Sequence, residues 1–261
     1  MKQNIPLLTI DDLRISFRSP SGIREVVHGV NLCIHQGEAL ALIGESGSGK
    51  SITAQAILQL LPVYDTITRG RILFKGEDLL AKTPQQMTSI RGQQIGMIFQ
   101  DPMTSLNPTI SVGKQIAEVL IRHKKLSYTL AKKHSIELLD LVRIDHPAER
   151  YNAYPFQLSG GMRQRILIAM AIACEPQLLI ADEPTTALDV TIQTQILELL
   201  RELRKNIGMS LLFITHDLAV ASSLCDRAAV MYQGIIVEEA PVDTLFSTPQ
   251  HPYTKELLIP V

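Results

Sequence analysis

The spacing of apolar residues changes character along the chain, and each stretch predicts its own element. Leu7 to Phe17 alternates apolar and polar positions in part, breaks at Ser19-Pro20-Ser21-Gly22, and resumes from Val26 to Ile34. Gly70 to Phe74 adds a shorter stretch of the same kind. A period of two buries one face of each segment, so these predict strands of a mostly antiparallel layer. Glu38 to Ile43 is almost continuously apolar, as a parallel strand covered on both faces should be. Ser51 to Leu61 follows as a predicted helix that Pro62 stops. Helical spacing then takes over between about 84 and 154, at Val112 to Lys124 and Thr129 to Val142. Later, the strand Gln177 to Ala181, the long helix Val190 to Lys205 ending near Gly208, and the strand Ser210 to Thr215 alternate as crossover units do. That alternation predicts a parallel sheet. Arg227 to Ala240 predicts a hairpin turning at Gln233-Gly234, and a short helical tail follows, broken by Pro249 and Pro252. The expected fold is α/β in one domain, 1–261: a mostly parallel sheet with flanking helices and an antiparallel β subdomain (1–83 and 155–261), with a helical subdomain inserted at 84–154.

Candidate chemistry stands where the predicted core strands end. Gly44-Glu45-Ser46-Gly47-Ser48-Gly49-Lys50-Ser51 joins an apolar strand to a helix. Gly44, Gly47 and Gly49 let backbone N–H groups wrap an anion, Lys50 adds charge for β- and γ-phosphates, and Ser51 offers a hydroxyl to Mg2+. Strand before and helix after is the context a phosphate loop demands, so the core is expected to be of the P-loop NTPase type. Asp182 and Glu183 end the apolar run Leu178 to Ala181. A buried strand does not carry two adjacent carboxylates without a cation or partner, which assigns Asp182 to the magnesium shell and Glu183 to the attacking water. His216 ends the next apolar strand in the same way, at the strand end where ligands gather in a parallel sheet. Ser159-Gly160-Gly161 opens a helical run from Met162 to Ala173, a second anion-reading helix start. The residues alone leave open whether both phosphate-reading elements meet on one nucleotide or the second serves a neighbouring chain.

Bulk properties narrow the class without changing this picture. Apolar residues make up 46% and charged residues 20%, a globular balance, and 25 Lys plus Arg against 26 Asp plus Glu give no electrostatic reason to grip nucleic acid. The longest apolar run, Ile166 to Cys174, reaches about half of the ~20 residues a membrane-spanning helix needs. No secretory signal is legible at the start, so a soluble protein is expected, with any membrane role supplied by a partner. Cys33, Cys174 and Cys225 are sparse and far apart, which fits a reducing compartment and no zinc site.

The order and spacing of five motifs resemble those of ABC (ATP-binding cassette) ATPases across nearly the whole chain. They are the glycine loop, Phe99-Gln100-Asp101-Pro102, Leu158-Ser159-Gly160-Gly161-Met162, Leu178 to Pro184, and Ile214-Thr215-His216-Asp217. The resemblance implies that Gln100 touches magnesium or the attacking water, and that Phe17 stacks on adenine. It also implies that Asp189, in Ala187-Leu188-Asp189, crosses an interface where two nucleotide domains pack head to tail. There, ATP lies between one chain's glycine loop and the other's Ser159-Gly160-Gly161.

Longer strings look like the oligopeptide/dipeptide/nickel importer ATPases, and most like the D-type member of a two-ATPase pair. These are Phe99 to Pro108, Ser159 to Arg165, Ala181 to Asp189 and His251-Pro252-Tyr253-Thr254. Such a subunit implies a second ATPase, as a heterodimer, two membrane permeases, a solute-binding protein, and a peripheral place on the cytoplasmic face of the cell inner membrane. Many peptide-type members continue with a cysteine-bearing extension, and no such cluster stands before Val261, which leaves peptides against nickel or another metal chelate open. The alternative, an ABC ATPase acting on nucleic acid or ribosomes, would bring long coiled coils or two cassettes, and neither pattern is present.

Overall fold

The computed structural model describes residues 6–20, 22–101, 105–186 and 188–258. In chain order the first elements are β1 (Pro6–Ser19), β2 (Gly22–His35), β3 (Ala39–Ile43), α1 (Lys50–Ile57), β4 (Thr66–Phe74), β5 (Glu77–Asp78) and α2 (Pro84–Thr88). Then come β6 (Ile95–Ile98), α3 (Val112–Lys124), α4 (Tyr128–Leu141), α5 (Pro147–Arg150), a 3-10 turn (Pro155–Gln157), α6 (Gly160–Ile172), β7 (Leu178–Asp182) and α7 (Val190–Ile207). The last are β8 (Ser210–Thr215), α8 (Leu218–Leu224), β9 (Arg227–Tyr232), β10 (Ile235–Pro241), α9 (Val242–Ser247) and α10 (Pro252–Leu257). They divide into two compact units, Met1–Met87 with Ser210–Val261, and Thr88–Met209.

The first unit holds two sheets. In one, β1 pairs antiparallel with β2 and β4, so that Ile15 faces Val27 on one side and Thr68 on the other. The period-two signal buries Leu8, Ile10, Leu13 and Ile15 on one face. A register shift between Ile10 and Leu13 makes a bulge with Asp12 at φ 44°. Gly70 lies against it: a Cβ there would stand 2.3 Å from the Asp12 carbonyl oxygen, so only glycine admits the bulge. In the other sheet β3 runs parallel to both β8 and β9, and β10 returns antiparallel to β9 through the turn at Gln233 and Gly234. Every residue of β3 and β8 is buried, which is why both read as continuous apolar runs.

Helix α1 ends at Ile57, four residues before the expected Leu61. The stop is not Pro62. Gln59 turns left-handed at φ 49°, the N–H groups of Leu58 and Leu60 return to the Gln55 carbonyl, and the Gln59 amide donates to the carbonyls of Leu79 and Lys82. Helix α8 and strand β6 carry no strong sequence signal and were not expected.

The second unit is mainly helical around a parallel pair, β6 beside β7, with Ile98 opposite Ala181. Gly96 sits where a Cβ would be 2.4 Å from the Ala171 carbonyl oxygen, so its bare backbone lets α6 lie against the strand. Helix α3 matches its expected span, and α4 begins and ends one residue before its own. Helix α7 buries Ile196, Leu197, Leu199, Leu200 and Leu203 as one stripe, starts on the cap residue Asp189 and stops at Gly208, φ 73°. No helix of the described residues is long and apolar enough to cross a membrane.

Candidate functional site

Parallel pairing in the first unit brings two motifs to one sheet end. Ile43 pairs with Thr215, so the glycine loop and His216 leave adjacent strands side by side. The loop residues Gly44, Gly47 and Gly49 have φ of 157°, 83° and 107°, and Gly49 is the cap of α1. At Gly44 a Cβ would stand 2.1 Å from the Met231 carbonyl oxygen, which presses the loop onto β9. Lys50 is buried, and its ammonium donates to the carbonyls of Gly44 at 2.7 Å and Glu45 at 2.8 Å. The Gly234 N–H donates to the Ser48 carbonyl at 3.0 Å, and Thr53 anchors the start of α1 on the Gly49 carbonyl. Ser46 and Gly47 are exposed at the tip, and Ser51 is half-buried. Phe17, half-buried on β1, lies between Arg24 of β2 and Thr66 of β4.

Parallel pairing does the same in the second unit. Ile98 opposes Ala181, so Gln100 and the pair Asp182–Glu183 emerge at the same ends of β6 and β7. Asp182 is buried, whereas Glu183 is half-buried in a left-handed conformation, φ 44°. Glu183 Oε2 accepts from Gln100 Nε2 at 3.0 Å and from Thr186 Oγ1 at 2.9 Å. Ser159 caps α6, its hydroxyl accepting from the Met162 N–H at 3.3 Å. Gly161 packs on the first turn of α7, where a Cβ would meet Ile192 at 2.8 Å, and Gly160 lies near Leu188. Asp189 caps α7 by accepting from the Ile192 N–H at 2.9 Å. The start of α6 and the Leu188–Asp189 segment are therefore neighbours within this unit. Ala187 of the Ala187-Leu188-Asp189 string, Pro102 of the Gln100 motif with Met103 and Thr104 of its longer string, and Ser21 of the first turn lie outside the described residues.

Sequence reasoning passed over two residues at these sites. Thr186 holds Glu183 but is one of two threonines in the run Thr185-Thr186, with nothing to single it out. Tyr253 accepts the Glu45 N–H at 3.0 Å. It lies in the His251-Pro252-Tyr253-Thr254 string, some two hundred residues from the loop, a distance no local pattern bridges.

A family model described as ABC transporter matches residues 27–186. The chain is 57% identical over 97% of its length to the oligopeptide transport ATP-binding protein OppD of Bacillus subtilis, covering 71% of that protein. It is 53% identical, over the same share, to the dipeptide transport ATP-binding protein DppD of Bacillus subtilis, covering 76% of it. Among solved structures it resembles the ATP-binding cassette MJ0796, a dimer in a post-hydrolysis state bound to ADP and Pi. That match has a TM-score of 0.80 and 27% identity, over 90% of this chain and 98% of the other. It also resembles cbiO1 of Clostridium perfringens, part of the transporter complex cbiONQ, with a TM-score of 0.78 and 28% identity over 93% and 91% of the two chains. The fold is thus the expected P-loop NTPase core with an antiparallel β subdomain and a helical insertion. The chain belongs to the ABC transporter family, as an ATP-binding subunit that hydrolyses ATP.

Proposed function

We propose that this chain is the D-type ATPase of an importer that takes up peptides. It works on the cytoplasmic face of the cell membrane with a second ATPase chain, two permeases and a solute-binding protein. The observation that carries the reading is the identity of 57% and 53% to two subunits whose names both specify peptide transport. Nickel or another metal chelate, open from the sequence, gains no such support.

In this reading the glycine loop and Lys50 bind the phosphates of ATP, Phe17 stacks on adenine and His216 donates to the γ-phosphate. Glu183 orients or deprotonates the attacking water, held ready by Gln100 and Thr186. Ser51, Gln100 and Asp182 offer a hydroxyl, an amide oxygen and a carboxylate, the oxygen donors that a small hard dication takes alongside nucleotide phosphates. Bound there, Mg2+ would neutralise charge on the β- and γ-phosphates. Ser159, Gly160, Gly161 and Asp189 serve the nucleotide held by the partner's loop, so ATP closes the head-to-tail dimer and hydrolysis releases it. The two states bias the permeases through the helical subdomain, 84–154.

The test is reconstitution of the chain with its permeases and second ATPase in vesicles, with ATP hydrolysis followed as loaded solute-binding protein is added. Stimulation by the peptide-loaded protein is expected. Stimulation only by a nickel-chelate-loaded protein would overturn the peptide assignment. Stimulation by RNA or DNA, with none by any loaded protein, would overturn the transport reading.

A further inference from the structure

The His251-Pro252-Tyr253-Thr254 segment has no part in the chemistry above, yet it reaches the phosphate loop. Tyr253 is 5% exposed, and its ring packs tilted against Tyr232 of β9, centroids 4.2 Å apart and planes at 38°. The segment before it is tied down on β10: the two oxygens of Glu238 accept the N–H groups of Gln250 at 2.8 Å and His251 at 2.9 Å. Pro252 starts α10 and His251 Nδ1 accepts the Tyr253 N–H at 3.2 Å, which fixes the helix start. Burial pushes the Tyr253 phenol up, so it is a neutral hydroxyl at physiological pH.

The hydroxyl oxygen of Tyr253 accepts the N–H of Glu45, and the carbonyl in the same peptide plane, that of Gly44, accepts from Lys50 Nζ at 2.7 Å. One peptide unit is therefore held from both sides, by a phenol on its N–H and an ammonium on its C=O. Because the peptide is planar, fixing the N–H direction fixes the C=O direction. An N–H that donates also makes its own C=O a better acceptor. We propose that Tyr253 is a positioning residue for Lys50, holding the Gly44–Glu45 peptide so that its carbonyl aims the lysine ammonium into the phosphate loop. The proposal rests on the reading that Lys50 binds nucleotide phosphates.

The test is a double-mutant cycle on the full chain with ADP as probe, by calorimetry for tight binding and ligand-observed NMR for weak binding. Tyr253→Phe keeps the ring on Tyr232 and removes only the acceptor. The expected result is about fivefold weaker ADP binding beside Lys50, and less than about twofold in the Lys50→Ala background, because the effect passes through the lysine. Equal losses in both backgrounds would mean that Tyr253 only supports the fold, and would overturn the proposal. Unchanged affinity in Tyr253→Phe, with Lys50→Ala weakened, removes the proposal and leaves the phosphate reading standing. Unchanged affinity in Lys50→Ala removes both. If Tyr253→Phe does not fold, amide exchange in the unmodified chain decides. Protection of the Glu45 N–H by about tenfold or more over an unstructured amide is expected, and exchange at the unprotected rate overturns the proposal.

Discussion

Replacing Glu183 by glutamine separates two roles that its carboxylate plays. The first is structural. Oε2 accepts from Gln100 Nε2 at 3.0 Å and Thr186 Oγ1 at 2.9 Å, and an amide oxygen in the same place accepts both. What is lost is the difference between charge-assisted and neutral bonds, about 1 kcal/mol each at full burial. Glu183 is only half-buried and water screens the rest, so the whole effect on stability stays below about 1 kcal/mol. The second role is chemical. A neutral amide takes no proton from water, and loss of a general base costs about 10²- to 10⁴-fold in turnover. The chemical effect, about 3–5 kcal/mol of barrier, therefore exceeds the structural one. Glu183→Gln should bind ATP within about twofold of wild type by calorimetry, since a half-buried carboxylate change of this size is worth little. It should release phosphate at least about a hundredfold more slowly in the reconstituted transporter. An ATP-bound dimer should accumulate in light scattering. Turnover within about tenfold of wild type would refute the assignment. So would a loss of turnover matched by an equal loss of ATP affinity, because the carboxylate would then be a binding group.

Thr186→Val removes one donor from Glu183 and should lower kcat by about two- to tenfold at unchanged ATP affinity, measured by phosphate release and calorimetry. Ser159→Arg puts a bulky cation at the start of α6. ATP titration at concentrations too low for dimerisation should be unchanged, while ATP-dependent dimerisation disappears from light scattering. Weakened binding in that monomer would mean that Ser159-Gly160-Gly161 serves its own chain's nucleotide. Gly44→Ala drives a methyl into the Met231 carbonyl, 2.1 Å away, and should destabilise the fold by about 1–3 kcal/mol while abolishing tight nucleotide binding. Phe213→Ala empties a fully buried site on β8 and should cost about 3–5 kcal/mol by urea unfolding.

What the sequence disclosed followed from how strongly each segment's surroundings constrain it. Strands β3, β7 and β8 are buried along their whole length, so nearly every position had to be apolar and their ends stood out as the first polar residues. The apolar runs break at Gly44, at Asp182 and at Thr215-His216, which is why chemistry was legible at them. Strand β6 is buried except at Met97 but only four residues long and contains Gly96, so its pattern was too short to register. The end of α1 was misplaced because Pro62 is a visible stop, whereas Gln59 ends the helix through a left-handed turn paired with Leu79 and Lys82. Glutamine carries no signal for that conformation. Thr186 and Tyr253 escaped for a third reason: each matters through one hydrogen bond, to Glu183 and to Glu45, and a single polar contact leaves no periodicity behind.

Ser159-Gly160-Gly161 shows how geometry redistributes the weight of a motif. Ser159 and Gly161 both have local work that needs no nucleotide: the hydroxyl caps α6, and Gly161 clears Ile192, where a Cβ would come within 2.8 Å. Their presence would follow from packing alone. Gly160 differs. Among the described residues a Cβ built on it meets nothing nearer than Leu188 Cδ2, at 3.7 Å, an ordinary contact that alanine would make without strain. Its φ lies outside the left-handed region, so the backbone does not require glycine either. A glycine in the first turn of a helix forgoes about 0.5–1 kcal/mol of helix stability relative to alanine. Neither packing nor conformation among the described residues recovers that here, and the function proposed above supplies a reason in the close approach of a nucleotide phosphate. A phosphate held by a second cassette approaches a helix N-terminus in that way. Within Ser159-Gly160-Gly161, then, the central glycine bears the argument for a site completed by a partner.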